Sequence, residues 1–397
     1  MVPLARKIVY EGVCSTLLRM VIDLVVSDFS SHRVARTYCV GEVLAMDHEV
    51  RYWGISSEDR LWKPLAEELR EAEVSSRRRF PGALSAMKEM AGRMDGDVLY
   101  AFKPLVDSFG LALLAKRMRP RPLILDIDDW EWAFSLSKGK WFILKKSLTR
   151  LTRTSSPAWV WVMERLISKA DAITTVSTVF QRKYGGVLLP HGRDPQRLDP
   201  ALFDPIEERR RLELPQEPVL LFLGTPRPHK GLEELMDAVM QLRRDFALCP
   251  LLVGGEPSDP FVQSLVKRTQ GSLQVRPMCL FSEMPQILAA SDLVVLPQRE
   301  EPRSTGQVPA KLFDAMAMAR PIVSTSVSEI PAILGECGWV VPPEDVPALV
   351  GAIRQILTDP SSARERGRDA RNRFKERYSY SAMRTILRDV LVELGFH

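Results

Sequence analysis

Two places in this chain bring glycine and cations to the start of a helix, where an anion would be held. The first is Gly224-Thr225-Pro226-Arg227-Pro228-His229-Lys230-Gly231. It joins a buried-strand run to a helix. Glycine at a strand end admits a ligand to the backbone, Arg227 and Lys230 supply positive charge, and the helix dipole adds to it. That set suits a diphosphate; an ordinary βα turn with solvated basic residues is the alternative. The second place is Gly306-Gln307-Val308-Pro309-Ala310-Lys311-Leu312-Phe313-Asp314-Ala315. Lys311 falls in a first helical turn, where a cation is unfavourable unless an anion is bound there. Asp314, three residues on, shares its face and offers a carboxylate to the two hydroxyls of a ribose. The plainer readings are a solvated lysine and a polar helix residue.

The first half carries acids at a strand end, in Leu125-Asp126-Ile127-Asp128-Asp129-Trp130. Three carboxylates so close repel one another, and at the carboxyl end of a strand they suit contact with acceptor hydroxyls. Capping of the helix at Trp130 is the competing role. Lys103 follows another first-domain strand, within reach of the cleft. His191 and His229 read as structural. Between Lys138 and Arg153 stand six cations, Lys138, Lys140, Lys145, Lys146, Arg150 and Arg153, and no acid. Trp141 and Phe142 lie among them, with Trp159 and Trp161 beyond. Residues 138–161 therefore suit either peripheral contact with an anionic membrane or a solvated helix whose aromatics face the core.

These residues need a scaffold, and the pattern supplies one. Strand-like runs at 22–26, 48–53, 97–100, 122–126, 172–176 and 187–190 alternate with helical stretches such as 33–44 and 109–118. The alternation restarts with strands at 218–224, 250–255, 273–275, 293–296 and 321–324, and helices at 232–245, 260–269, 283–290 and 311–317. Two doubly wound α/β domains are expected, each a parallel sheet covered by helices. The join falls in the loop-rich stretch between Pro190 and Pro215. Ligands of such sheets lie beyond the carboxyl ends of the strands, so the site belongs in the cleft between domains.

Composition is that of a globular protein: 397 residues, 45% hydrophobic and 26% charged, with net charge +5. The charge is uneven, about +7 over residues 1–196 and −2 over the rest. Five scattered cysteines, Cys14, Cys39, Cys249, Cys279 and Cys337, argue against a disulfide framework or structural zinc. Met1–Met20 does not read as a signal peptide, and no apolar run is long enough to span a bilayer. A cytoplasmic protein is expected, either free or peripheral on the inner face of the membrane. No nucleic-acid-binding module is present.

Gly224…Lys230-Gly231, Ser291-Asp292-Leu293-Val294-Val295-Leu296-Pro297 and Lys311-Leu312-Phe313-Asp314-Ala315-Met316-Ala317, in this order and spacing, resemble the donor-binding domain of family-4 (group 1) retaining glycosyltransferases. Leu189–Asp194 resembles that family's segment into its second domain. The likeness is strong over residues 170–375 and weak over the first 120. It implies the GT-B fold, two Rossmann-like domains facing across a cleft. Residues 1–205 would bind the acceptor, 206–378 a nucleotide diphosphate sugar, and 379–397 would form a helix crossing back.

By the same resemblance Lys230 binds donor phosphates, and Gly224 and Gly231 frame that loop. Thr225 stands where the family has arginine, so Arg227 is its substitute. Of two family glutamates eight positions apart, the second corresponds to Asp314 and the first to Gly306, whose role on the sugar passes to Gln307 or to backbone amides of Ser304–Gln307. The family often has a histidine near Asp128. The residues expected at the reacting centre are thus Lys230, Arg227, Asp128 and Asp129, with no metal or other cofactor. A nucleotide-sugar epimerase and a non-catalytic nucleotide-sugar-binding subunit share the architecture and are the rival readings.

Overall fold

The computed structural model describes residues 19–396 other than 59, 77–78, 137–138 and 302–303. Cys14, Lys138 and the first 18 residues, which bear on the reading of a leader, lie outside the described residues. Two parallel sheets organise the chain. The first is built from β1 (Val21–Val26), β2 (Glu49–Ile55), β3 (Glu73–Ser75), β4 (Val98–Phe102), β5 (Leu123–Ile127), β6 (Ala172–Thr175) and β7 (Val187–Leu188), in the order β3-β2-β1-β4-β5-β6-β7. The second contains β8 (Val219–Leu223), β9 (Cys249–Val253), β10 (Gln274–Arg276), β11 (Leu293–Leu296), β12 (Ile322–Thr325) and β13 (Trp339–Val341), in the order β10-β9-β8-β11-β12-β13.

Both orders reverse direction once, between β1 and β4 and between β8 and β11. Crevices open there at the carboxyl ends of the strands. Alternate side chains of each strand feed cores on opposite faces. Val219, Leu221 and Leu223 enter one, and Leu220 and Phe222 the other. This is why the central strands read as unbroken apolar runs. The edge strands β3 and β13 have three residues each and carry too little pattern to be read from sequence. The helix expected from 109 begins instead with a π turn, Val106–Gly110, before regular α-helix at Leu111–Met118.

Two stretches of chain cross between the sheets, near Arg193 and Ser379, and they pair as a parallel bridge. The Arg193 amide donates to the Tyr378 carbonyl at 3.2 Å, and the Tyr380 amide to the Arg193 carbonyl at 3.0 Å. Ser379 then caps helix Tyr380–Glu393, accepting from the Ala382 amide. That helix buries Met383, Leu387, Val390 and Leu391 against Ile22, Leu24, Val40 and Tyr100 of the first sheet's core. The C-terminal helix is therefore part of the first core although it follows the second sheet in sequence. Replacing Leu387 with Ala should cost about 2–5 kcal/mol. The loss should be read as faster amide hydrogen exchange in β1 and β4, with β8 and β11 unaffected; equal loss in both sheets would mean that they unfold as one unit.

Candidate active site in the interdomain cleft

On the second-domain wall, β8 ends at Gly224, whose φ of +146° suits glycine and which leaves open space: a Cβ there would meet only the Phe222 ring, at 3.9 Å. The chain continues through a single 3-10 turn, Pro228–Lys230, into Gly231 at φ +69°, the cap residue of helix Leu232–Leu242. A Cβ on Gly231 would lie 1.7 Å from the Pro297 carbonyl oxygen, so only glycine lets this turn press onto the end of β11. Lys230 is thereby held at the reversal point of the sheet. Its Nζ donates to Gln298 Oε1 at 3.1 Å and Gln307 Oε1 at 3.5 Å. Both are neutral acceptors, and burial brings its pKa down to about 8, with Asp129 pulling the other way. Arg227 is exposed on the outside of the turn, away from this group of contacts.

Gln298 is a site residue that the motif reading did not single out. It is buried, one end of its amide accepts from Lys230, and its Nε2 has no partner. The signal was its place two residues beyond β11, at the switch point.

The first-domain wall is more highly charged. Asp126 is fully buried and takes a two-pronged contact from Arg36, Nε to Oδ1 at 3.0 Å and Nη2 to Oδ2 at 2.8 Å, with a further bond from Thr174. Lys103, also buried and in the left-handed region at φ +71°, bonds Asp128 at 2.8 Å, Glu131 at 3.2 Å and Asp129. Burial alone would lower the pKa of Lys103, but these three carboxylates reverse that and raise it, so it stays charged. The expected repulsive cluster is therefore corrected: each acid faces a cation, and Asp126 belongs to the scaffold. Arg33 adds a bond to Glu131 at 3.2 Å. His32 stands beside this group, its pKa lowered by burial and by Lys103 and partly restored by Asp129. Nothing in the motifs pointed to His32, Arg33 or Arg36, because their partners lie about 90 or more residues away.

One side chain connects the walls. Gln307 Nε2 donates to Asp129 Oδ1 at 2.8 Å while its Oε1 faces Lys230. A continuous polar chain thus runs Gln298, Lys230, Gln307, Asp129, Lys103. Gly306 beside it has φ +74°, and a Cβ would come within 2.6 Å of the Phe180 ring. Phe180 lies in first-domain helix Thr178–Tyr184. A larger side chain at position 306 would collide with that ring, and the backbone disfavours one. The loop amides expected to take over its role are partly used already, since those of Ser304 and Gln307 donate to Glu301 and Ser304 carbonyls.

Asp314 calls for a second correction. It is fully buried, with Oδ1 bonded to Arg193 Nε at 2.5 Å and Oδ2 3.3 Å from Lys311 Nζ. A ribose hydroxyl cannot reach it in this conformation. Lys311, expected to need a bound anion, has Asp314 as its counter-charge and the Phe281 ring 5.7 Å away. Arg193, missed in the sequence, also reaches Cys39 Sγ at 3.4 Å; burial would lower its pKa, but Asp314 outweighs that and raises it. His191 is buried among Arg36, Arg193 and Lys103, its pKa well below the usual value because of burial and those cations, and it packs edge-on to Phe313. It is structural. The His229 carbonyl accepts from the Arg299 amide.

Two Rossmann-like sheets facing across a charged cleft define the GT-B fold. Among solved structures, Anabaena HepE in complex with UDP-glucose superposes with a TM-score of 0.71 at 16% identity, covering 94% of this chain and 100% of that one. Sucrose-phosphate synthase from Thermosynechococcus elongatus gives 0.70 at 18% identity, covering 95% and 99%. Residues 217–359 match the family model described as glycosyl transferases group 1. That match covers the second sheet and its helices, where the sequence motifs lie. Curated relatives include an alpha-D-kanosaminyltransferase of Streptomyces kanamyceticus, 26% identical over 48% of this chain and 49% of its own length. An MMP alpha-(1->4)-mannosyltransferase of Mycolicibacterium hassiacum is 26% identical over 76% of this chain and 72% of its own. The chain thus spans about half the length of the first of these relatives and nearly three quarters of the second.

The folded pKa of Lys230, about 8, lies below the 10.5 of an ordinary lysine. Between those values the folded chain holds fewer protons than the unfolded one, so Lys230 makes stability rise with pH across that window. Anion binding has the opposite sign. A diphosphate such as UDP prefers protonated Lys230, so its affinity should fall as pH passes about 8. Calorimetric titration on either side of that pH should show the fall in wild type and not in Lys230→Arg; matching profiles would remove Lys230 from the anion site. Separately, Gly306→Ala should lower stability by about 1–3 kcal/mol through overpacking on Phe180 and backbone strain. A thermal midpoint equal to wild type would show that the Phe180 ring yields freely.

Proposed function

We propose that this chain transfers a glycosyl group from a nucleotide diphosphate sugar to an acceptor hydroxyl, with retention of configuration and without a metal. The carrying observation is Lys230: a half-buried cation at the sheet's reversal point, beside the open face of Gly224, contacted by neutral amide oxygens. A diphosphate supplies the anionic partner that this cation lacks. Binding would displace the Gln307 contact and separate Gln307 from Asp129, opening the polar chain between the walls. The unpartnered Nε2 of Gln298 donates to the same phosphates. Arg227, exposed at the outer end of the turn, reaches the anion only if the turn closes over it.

In the reaction, the bond from the sugar's anomeric carbon to phosphate oxygen breaks as the acceptor oxygen bonds to that carbon on the same face. The acceptor proton passes to the leaving phosphate, and nucleoside diphosphate departs. Lys230 neutralises charge as it builds on that phosphate, which is the largest kind of catalytic term available to a fixed cation. Asp128 and Asp129, oriented by Lys103, receive acceptor hydroxyls. Asp314 acts at one remove, by fixing Arg193 and Lys311. Transfer is preferred to epimerisation because the relatives named above are transferases and a synthase by their printed names. A shared architecture alone would not choose between them.

UDP, GDP and ADP should be compared for thermal stabilisation of the protein. A nucleotide at about 100 times its dissociation constant adds about 2.7 kcal/mol of stability. One of the three should stabilise wild type, and Lys230→Ala should lose most of that gain along with about 100-fold or more in turnover of the matching sugar conjugate. Absence of any shift with all three would overturn the donor assignment.

A further inference from the structure

Helix Lys140–Thr149 has no buried residue. Its apolar stripe faces outward: Trp141 is 83% exposed, Leu144 53% and Leu148 66%. Spaced by three and four, they share one face. Phe142 and Ile143, a quarter-turn or more away, are the half-buried side. The reading in which these aromatics face the core therefore fails for Trp141. Leu151, just beyond the helix, continues the apolar exposure. At 3.6 residues per turn, exposed Lys140 and Lys145 flank the stripe on opposite sides. Lys146, Arg150 and Arg153 add charge, and no Asp or Glu occurs between Glu131 and Glu164.

We propose that this helix docks on an anionic lipid bilayer, with Trp141, Leu144 and Leu148 at the headgroup–acyl boundary and the flanking lysines on lipid phosphates. Water is a poor partner for three large apolar side chains on about two turns of helix. A second copy of the chain is a poor one as well, because its own five cations would be brought against these. An anionic, fluid, apolar-backed surface satisfies both features. No described helix is long and apolar enough to cross a membrane, so the contact would be peripheral. Among the described elements, helix Glu131–Leu136 lies in sequence between Asp129 and the docking helix, and it packs against that helix. Docking would thus set the first-domain wall of the cleft close to the bilayer.

The test uses full-length protein sedimented with vesicles of phosphatidylcholine alone or with about one-third phosphatidylglycerol. Wild type should bind the anionic vesicles, and each cation removed in Lys140→Gln and Lys145→Gln should weaken partitioning about five-fold. Added salt should weaken it further. Trp141→Ser with Leu148→Ser should abolish binding while leaving the thermal midpoint and any nucleotide-induced stabilisation at wild-type values. Because vesicle binding is read without nucleotide, its failure is separable from failure of the donor site. Equal binding to both vesicle types, no binding to either, or full binding by the double serine variant would overturn the proposal. So would self-association lost in Trp141→Ser without vesicle binding, which would assign the face to a second copy.

Discussion

The buried ion pair between Arg193 and Asp314 holds together the only place where the two sheets are joined by paired chain segments among the described residues. Arg193 sits on the first crossing, bonds the second crossing through its backbone, reaches first-domain Cys39 with one nitrogen and second-domain Asp314 with another. Burying such charges is costly, and the pair persists because each partner would be left uncompensated without the other; breaking pairs of this kind costs about 3–5 kcal/mol. A hydrophobic contact would tolerate sliding. A directional, charged one fixes where the second domain stands over the first, and the cleft geometry depends on that placement.

The cleft itself is a balance of charge divided between two bodies. Asp128, Asp129 and Glu131 exceed Lys103 and Arg33 by one charge, and Lys230 stands across the gap, linked to Asp129 only through Gln307. Gln307 mediates, accepting on one side and donating on the other. Gln307 is thus one of the side chains that link the two walls, beside Thr178 with Glu329 and Arg193 with Asp314.

Packing decides what can stand at two of the expected donor-site positions. Position 306 is a left-handed turn with Phe180 from the opposite domain packed against it. Gln307, one residue on, spans the cleft instead. At position 314 a shorter carboxylate is drawn back into the helix packing, where Arg193 and Lys311 enclose it. The polar reach of this loop comes from an amide, which pairs with either a cation or a carboxylate without a change of charge.

Local pattern determined much of this protein. Runs of β-branched and leucine residues separated by helical periodicity named nearly every central strand to within a few residues, since burial on both faces leaves that mark on the sequence. Glycines at strand ends and Lys230 located the second-domain wall for the same reason: they sit at a local strand–turn–helix junction. The rest needed the folded chain. Lys103 gathers carboxylates from another strand's end, Arg36 finds Asp126 across 90 residues, and Arg193 finds Asp314 across 121. The outward roll of Trp141 likewise depends on which side of its helix the first domain happens to cover. Charge pairing and exposure are properties of distance in space, and a linear order of residues carries that distance only where neighbours in sequence remain neighbours in the fold.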